Sequence, residues 1–154
     1  FTSQALLDER AVLACMTYVD LNPIRAAIAR TPEQSEYTSI RERIVDAHDN
    51  PLLPFTDQAE DGIPFSLKDY LELVDWAGRA IKENKRGYIP SGMPPILTRL
   101  GMQATSVLAY LEKQEKKTSV ALGPVSMLRA FAKSVGRQFV KGQSLGKDLC
   151  PERA

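Results

Sequence analysis

The chain has 154 residues, of which 44% are hydrophobic and 25% are charged. It can therefore bury one hydrophobic core, because domains commonly have about 100–150 residues. Its two cysteines and single histidine exclude a disulfide framework and a zinc-type cysteine and histidine spacing. No apolar run approaches the roughly 18 residues of a membrane span, so we expect a cytoplasmic protein without a membrane partner.

The charges are divided unevenly along the chain. Residues 1–77 carry 6 Lys/Arg against 14 Asp/Glu, a net charge of −8, whereas residues 78–154 carry 14 against 5, a net charge of +9. A basic surface can bind a phosphate backbone because it displaces the counterions of that backbone. Charge alone favours the alternative, in which these residues are solvated helix faces.

The first predicted element is a helix over residues 7–21, where apolar residues recur at helical spacing. Asn22 and Pro23 follow, and asparagine as N-cap with proline as first helical residue is typical of a new helix, here predicted over 23–30. Residues four apart share one face of a helix, so Tyr18 and Asn22 can present a phenol and a carboxamide to the same small volume. This corner is a candidate site.

The same residues resemble a known family. The segments TYVDLNPIRAAIA and TPEQSEYTSI are similar to the region around the catalytic tyrosine of the REP-associated tyrosine transposases, relatives of the single-tyrosine HUH transposases. The segment YLELVDWAGRAIKENKRGYIP resembles the C-terminal extension of larger members, so the resemblance covers residues 1–100 well and the rest weakly. It implies DNA transposition and recombination, in which the tyrosine attacks a phosphate of single-stranded or hairpin DNA and stays joined to its 5′ side. The matching position is Tyr18.

The sequence departs from this family at the metal site. In the family a His-hydrophobic-His strand precedes the tyrosine, whereas this chain has one histidine, His48, which follows it. The resemblance implies Mg²⁺ or Mn²⁺ in the intact protein, with Asn22 as the third ligand beside the absent histidine pair, and the alternative role of Asn22 as an N-cap stays open. We expect this chain to be a C-terminal fragment that by itself binds no metal and has no nuclease activity.

Further helices are predicted on either side of a proline-rich segment. Thr31 and Pro32 repeat the pattern of a cap followed by proline, and Ser39 with Glu42 has the spacing of a capping box for a helix that ends near Ala47. The segment between the two groups of helices has three prolines in DNPLLPFTDQAEDGIP and reads as a linker. Beyond it, the apolar spacing predicts four helices, over 66–87, 96–100, 105–117 and 124–139, the first of them with Ser66 as its N-cap.

The last of these helices has an apolar stripe on one predicted face and Arg129, Lys133 and Arg137 on the other. Its predicted buried stripe contains Val125, Leu128, Phe131, Ala132, Val135 and Phe139. Since no segment alternates apolar and polar residues, we predict an all-α fold with a small C-terminal helical bundle. The predicted domains are a tyrosine-helix segment 1–47 that would complete an HUH nuclease domain, a linker 48–65, a helical domain 66–142 and a polar tail 143–154.

Two elements of the second half are candidates for contact with DNA. The short helix 96–100 and the helix after it have the outline of a helix-turn-helix, which is also the outline of any compact bundle. The outward side of the second helix would contain Gln103, Ser106, Tyr110, Lys113 and Gln114. The predicted DNA-binding residues of the whole chain are Arg25, Arg30, Lys113, Arg129, Lys133 and Arg137.

Two other classes of function stay open on this evidence. One is a non-catalytic helical module that binds DNA, and the other is a protein-interaction domain without a nucleic-acid role. Asp20 is not expected to act as a base for Tyr18, because the two side chains point in different directions from their helix. If the chain works on DNA, we expect it to be associated with the nucleoid.

Overall fold

The computed structural model describes residues 3–36, 38–45, 65–83, 89–113 and 119–152. These residues are mostly helical, which confirms the all-α prediction. The strands are β1 (Ala5–Leu6) and β2 (Ala121–Leu122). The helices are α1 (Glu9–Asp20), α2 (Asn22–Arg25), α3 (Ser39–Val45), α4 (Leu67–Glu83), α5 (Pro95–Arg99), α6 (Ala104–Lys113), α7 (Val125–Ser134) and α8 (Gln143–Leu149), with a 3₁₀ turn at Pro32–Gln34.

Helix α1 confirms the predicted tyrosine helix, with Asp8 as its N-cap. The Asp8 carboxylate accepts a hydrogen bond of 2.9 Å from the backbone N–H of Ala11, which satisfies one of the donors left open at a helix start. Helix α2 is shorter than the predicted helix 23–30. Ala27 has a φ of 56°, a left-handed conformation that turns the chain out of the helix.

Helices α3 and α4 begin at polar caps, one of which differs from the prediction. The hydroxyl of Ser66 accepts a hydrogen bond of 3.1 Å from the N–H of Asp69, as predicted. The predicted capping box of Ser39 and Glu42 is wrong, because the cap is Thr38, whose hydroxyl accepts from the N–H of Arg41 at 3.4 Å. The hydroxyl of Ser39 donates instead to the carboxylate of Asp20.

The two short strands pair in parallel, with Ala5 opposite Ala121 and Leu6 opposite Leu122. A pair of two-residue strands is too short to leave an alternating pattern in the sequence. Ala121 of β2 belongs to a buried cluster with Leu128, Ala132 and Val140. Helix α8 approaches the residue that follows β2 so closely that a Cβ on Gly146 would lie 2.4 Å from the carbonyl oxygen of Gly123.

The expectation that residues after Gly142 bury little is wrong. Helix α8 occupies residues 143–149, and both Leu149 and Cys150 are fully buried. The N–H of Gly146 donates to the carbonyl oxygen of Gly142 at 2.8 Å, so the helix starts directly after that glycine. Apolar residues as sparse as these were a weak signal for a helix in a polar sequence.

The predicted stripe of the last helix is wrong at its C-terminal end. Helix α7 ends at Ser134 because Gly136 has a φ of 69°, a left-handed conformation that closes a helix. Leu128 and Ala132 are buried, but Val135 is 48% exposed and Phe139 is 67% exposed. The predicted outward position of Tyr110 is also wrong, since this side chain is buried in α6.

The chain forms two compact units. One, the terminal unit, comprises the described residues within Phe1–Cys15 and Leu97–Ala154, and the other, the central unit, comprises those within Met16–Ile96. The predicted functional division at residue 47 stays a prediction. His48, Gly87 and the predicted linker up to residue 64 lie outside the described residues.

Candidate functional site

The candidate nucleophile lies on the last turn of α1. Tyr18 is half-buried, and Asn22, the first residue of α2, is exposed. The two helices follow each other almost without interruption, because the N–H of Leu21 donates to Thr17 at 3.1 Å and the N–H of Arg25 donates to Leu21 at 2.9 Å. Tyr18 and Asn22 are therefore kept about one helical turn apart.

Arg25 joins the two predicted site residues. Its guanidinium carbon lies 4.7 Å from the centre of the Tyr18 ring, within the range of a cation–π contact. Its Nη1 atom donates a hydrogen bond of 3.2 Å to the Oδ1 atom of Asn22. Tyr18, Asn22 and Arg25, called the tyrosine corner below, thus form one group of phenol, carboxamide and guanidinium.

The alternative role of Asn22 as an N-cap is wrong. Leu21 holds the N-cap position of α2, with no hydrogen bond from a capping side chain. The φ of −90° and ψ of −3° of Leu21 are close to helical, and Asn22 itself is already the first residue of α2, so that Asn22 does not hold the cap position, where the extended conformation is typical. The Asn22 side chain is consequently turned outward, toward Arg25.

The tyrosine corner does not by itself fit a divalent cation. It supplies one carboxamide oxygen, already hydrogen-bonded to a guanidinium, whereas Mg²⁺ takes about six oxygen ligands and a nearby positive charge opposes its binding. Across the described ranges, no three His, Cys, Asp or Glu side chains gather closely enough to hold a metal ion. The role of Asn22 as third ligand stays a prediction that needs a histidine pair from outside this sequence.

Buried hydrogen bonds of Asp20 form a polar network next to the tyrosine corner. Asp20 is 1% exposed and accepts hydrogen bonds from the Tyr70 hydroxyl at 2.5 Å, from the Ser39 hydroxyl at 2.9 Å and from the N–H of Ile40 at 3.3 Å. These contacts join the end of α1 to the start of α3 and to α4. A carboxylate at the first turn of a helix is also favoured by the helix dipole.

Arg43 belongs to the same network. Its side chain is buried, and burial lowers the pKa of its guanidinium, while the charges of Asp20, Tyr70 and Glu42 act in the opposite direction. One feature of the sequence points to this network, namely the hydroxyl of Tyr70 beside an apolar stripe, since a buried phenol needs a partner. Nothing in a single sequence identifies Asp20 as that partner across fifty residues.

The other predicted DNA-binding residues lie apart from this network. Arg30 is exposed on the segment after α2. In the terminal unit, Arg129 and Lys133 are exposed on α7 and Arg137 is exposed just after it. The side chain of Lys113, at the end of α6, lies outside the described residues.

Two groups of the terminal unit, the Glu152 carboxylate and the Cys150 thiol, have shifted pKa values. The carboxylate of Glu152 accepts hydrogen bonds from the Ser126 N–H at 2.7 Å and from the Ser126 hydroxyl at 2.8 Å. The first of these bonds, and next the second, lower the pKa of Glu152. Burial raises the pKa of the Cys150 thiol to about 12, so that little of the reactive thiolate forms near neutral pH while the fold is intact.

No family model, curated protein or solved structure matches the chain. Among the described helices, none is both long and apolar enough to cross a membrane.

Proposed function

We propose that this chain is the C-terminal part of a transposase that cleaves and rejoins single-stranded DNA through a 5′-phosphotyrosine intermediate, with Tyr18 as nucleophile. The observation that carries the proposal is the tyrosine corner. A half-buried phenol has a guanidinium 4.7 Å from its ring centre and an exposed carboxamide at the next turn. A guanidinium in this position can donate charge-assisted hydrogen bonds to phosphate oxygens.

The proposed cleavage exchanges one ester bond for another. The Tyr18 oxygen forms a bond to phosphorus, and the bond between phosphorus and the 3′ oxygen of the preceding nucleotide breaks. The phenol loses its proton to solvent, and the departing 3′ oxygen takes one up. Rejoining is the reverse attack of a 3′ hydroxyl on the phosphotyrosine, which needs no external energy because the ester was conserved.

The chain's own residues have distinct roles in this proposal. Arg25 orients the phosphate beside the phenol, and Asp20 fixes the corner through its contacts with α3 and α4 without touching DNA. The basic residues Arg129, Lys133 and Arg137 bind the DNA backbone. The bound divalent cation of the intact protein would supply polarisation of the phosphate, with Asn22 as one ligand.

A non-catalytic nucleic-acid-binding module is the second candidate. It is favoured by the exposed basic residues of α7, which require no nucleophile. A covalent product distinguishes the two candidates, because a binding module forms none.

The test incubates labelled single-stranded DNA with the full-length protein and Mg²⁺, followed by a denaturing gel. The full-length protein should give a shifted protein–DNA band, and Tyr18→Phe should abolish it while the fold is kept, because the ring remains. Tyr110→Phe is the matched control, since it removes the hydroxyl of a tyrosine that is 3% exposed and lies outside the contacts of Asp20, and it should retain the band. A band that persists in Tyr18→Phe refutes the assignment. The 154-residue chain alone should give no band.

A further inference from the structure

Phe139 is the most exposed aromatic side chain in the part of the chain that the structure describes. Phe139 is 67% exposed and follows α7 by five residues. Its neighbour Val140 is 3% exposed and belongs to the buried cluster of the terminal unit. The chain at this point thus directs one apolar residue inward and leaves the larger one in water, where its ring can contact a binding partner.

The sequence around Phe139 is basic. The segment from Arg129 to Lys141 contains four basic residues and no acidic residue. The four, Arg129, Lys133, Arg137 and Lys141, are all exposed. We call Lys133, Arg137, Phe139 and Lys141 the α7-end surface, and leave out Arg129 because its charge contributes to the lowered pKa of Glu152.

The backbone under this surface is held in one conformation. The N–H of Gly136 donates to Lys133 at 3.1 Å and the N–H of Arg137 donates to Ala132 at 2.8 Å, which closes α7 in the manner of a Schellman end. Burial of Val140 fixes the other end of the segment. Phe139 is therefore presented between two fixed points, two residues from the charge of Arg137.

We infer that the α7-end surface binds single-stranded nucleic acid, with one unpaired base stacked on the Phe139 ring and the adjacent phosphates on Lys133 and Arg137. Aromatic rings beside basic residues bind single strands without strong sequence preference, because every base has a π-face. In a duplex the base faces are covered by their neighbours, so the ring has no surface to stack on. The inference rests on the DNA-binding part of the proposed function and is independent of the nucleophile.

The test is a fluorescence titration of the 154-residue chain with a labelled mixed-sequence single-stranded oligonucleotide at several salt concentrations. Phe139→Ala should weaken binding roughly 5- to 150-fold, the range measured for loss of one stacked base. Phe139→Trp should restore binding, and Phe139→Leu should not. Lys133→Ala and Arg137→Ala should each reduce the slope of log affinity against log salt by about 0.7.

Met127→Ala is the matched control, because Met127 is an apolar residue of α7 that is 45% exposed and lies outside the surface. It should bind as the unsubstituted chain does. Since all the substituted side chains are exposed, circular dichroism should show unchanged folding for every variant.

The possible failures are distinguishable. If the lysine and arginine variants change neither affinity nor salt slope, the DNA-binding part of the proposed function fails and the inference fails with it. If they weaken binding while Phe139→Ala does not, only the stacking inference is overturned. Equal affinity for a duplex of the same sequence would also overturn it. So would capture of the chain by phosphatidylglycerol vesicles, lost in Phe139→Ala, without oligonucleotide binding.

Discussion

The tyrosine corner and the α7-end surface both combine an aromatic ring with basic side chains, but they are built differently. In the corner, Arg25 contacts the ring of Tyr18 and the carboxamide of Asn22. The nearby Asp20 makes buried hydrogen bonds to Ser39 and Tyr70. At the α7-end surface, Phe139 and its basic neighbours are exposed. The contacts of the corner fix the positions of its side chains, whereas the α7-end surface presents an exposed ring and positive charges.

This difference corresponds to two different requirements. A nucleophile must be held near its target atom, because small misplacements reduce the rate strongly. A surface that follows a flexible strand gains from adaptable charges and a flat ring instead. Loss of the buried Asp20 contacts should accordingly reduce folding stability, whereas substitutions at the exposed α7-end surface should change binding and leave the fold intact. Other contacts within the two units should have smaller effects on stability.

Removal of the buried carboxylate should have the largest effect. Asp20→Ala leaves the Tyr70 hydroxyl and the Ser39 hydroxyl without their acceptor and removes a charge near Arg43, so it should lower the free energy of unfolding by about 3–5 kcal/mol. The measurement is denaturant unfolding followed by fluorescence of Trp76, the single tryptophan, which is fully buried in the same unit.

Asp75→Ala is the control for this prediction. Asp75 forms an ion pair of 3.2 Å with Arg79, but its side chain is 72% exposed, so its removal should change the free energy of unfolding by less than about 0.5 kcal/mol. Equal effects of the two substitutions would show that the Asp20 network does not stabilise the corner.

Two glycines in helices should respond to alanine with opposite signs. In Gly146→Ala the new Cβ would lie 2.4 Å from a backbone oxygen, so that the terminal unit should lose about 1–3 kcal/mol. In Gly78→Ala the nearest atom is the Leu21 side chain at 3.5 Å, and the central unit should gain about 0.5–1 kcal/mol from the better helix former.

The readouts for the glycine pair are separate. Labelling of the buried Cys150 thiol with iodoacetamide, followed by peptide mass spectrometry, reports opening of the terminal unit, and Trp76 reports the central unit. Unchanged labelling of Cys150 in Gly146→Ala would mean that α8 does not approach the backbone of Gly123 as described.

The smallest expected effect concerns Glu152 and pH. Its folded-state pKa is lowered below the ordinary value of 4.5, so its contribution to stability is complete above that value and is lost as the pH falls through the folded-state pKa. Glu152→Gln should therefore be less stable than the unsubstituted chain near neutral pH and equally stable in acid. Thermal unfolding across this range measures it.

Ser126→Ala is the intermediate case for the same contact. It removes the hydroxyl donor and keeps the N–H donor, so its loss of stability should be smaller than that of Glu152→Gln. A difference between Glu152→Gln and the unsubstituted chain that persists in acid would contradict the assigned contact.

The sequence predicts those parts of the molecule that local chemistry decides. Helix α1, the cap of Ser66 and the closeness of Tyr18 to Asn22 all depend on residues within a few positions of one another. The contacts of Asp20 join residues 19 and 50 positions apart, and no local pattern contains that information. The pairing of β1 with β2 was missed for the same reason, since each strand has two residues.

The error at the end of α7 has a different cause. Val135 and Phe139 continue the helical spacing of the buried stripe, but the helix ends before Gly136, so the spacing no longer determines which side they face. The exposure of Phe139 thus follows from one glycine whose ability to end the helix competes with the apolar period. That competition produces the α7-end surface.

The central claim is that Tyr18 is the residue that becomes joined to DNA. The most direct measurement is tandem mass spectrometry of the full-length protein after reaction with a single-stranded oligonucleotide, followed by nuclease and protease digestion. We expect a nucleotide joined through its 5′ phosphate to Tyr18, in the peptide that contains TYVDLNPIR. A nucleotide on any other residue, or none when DNA is cleaved, would contradict it.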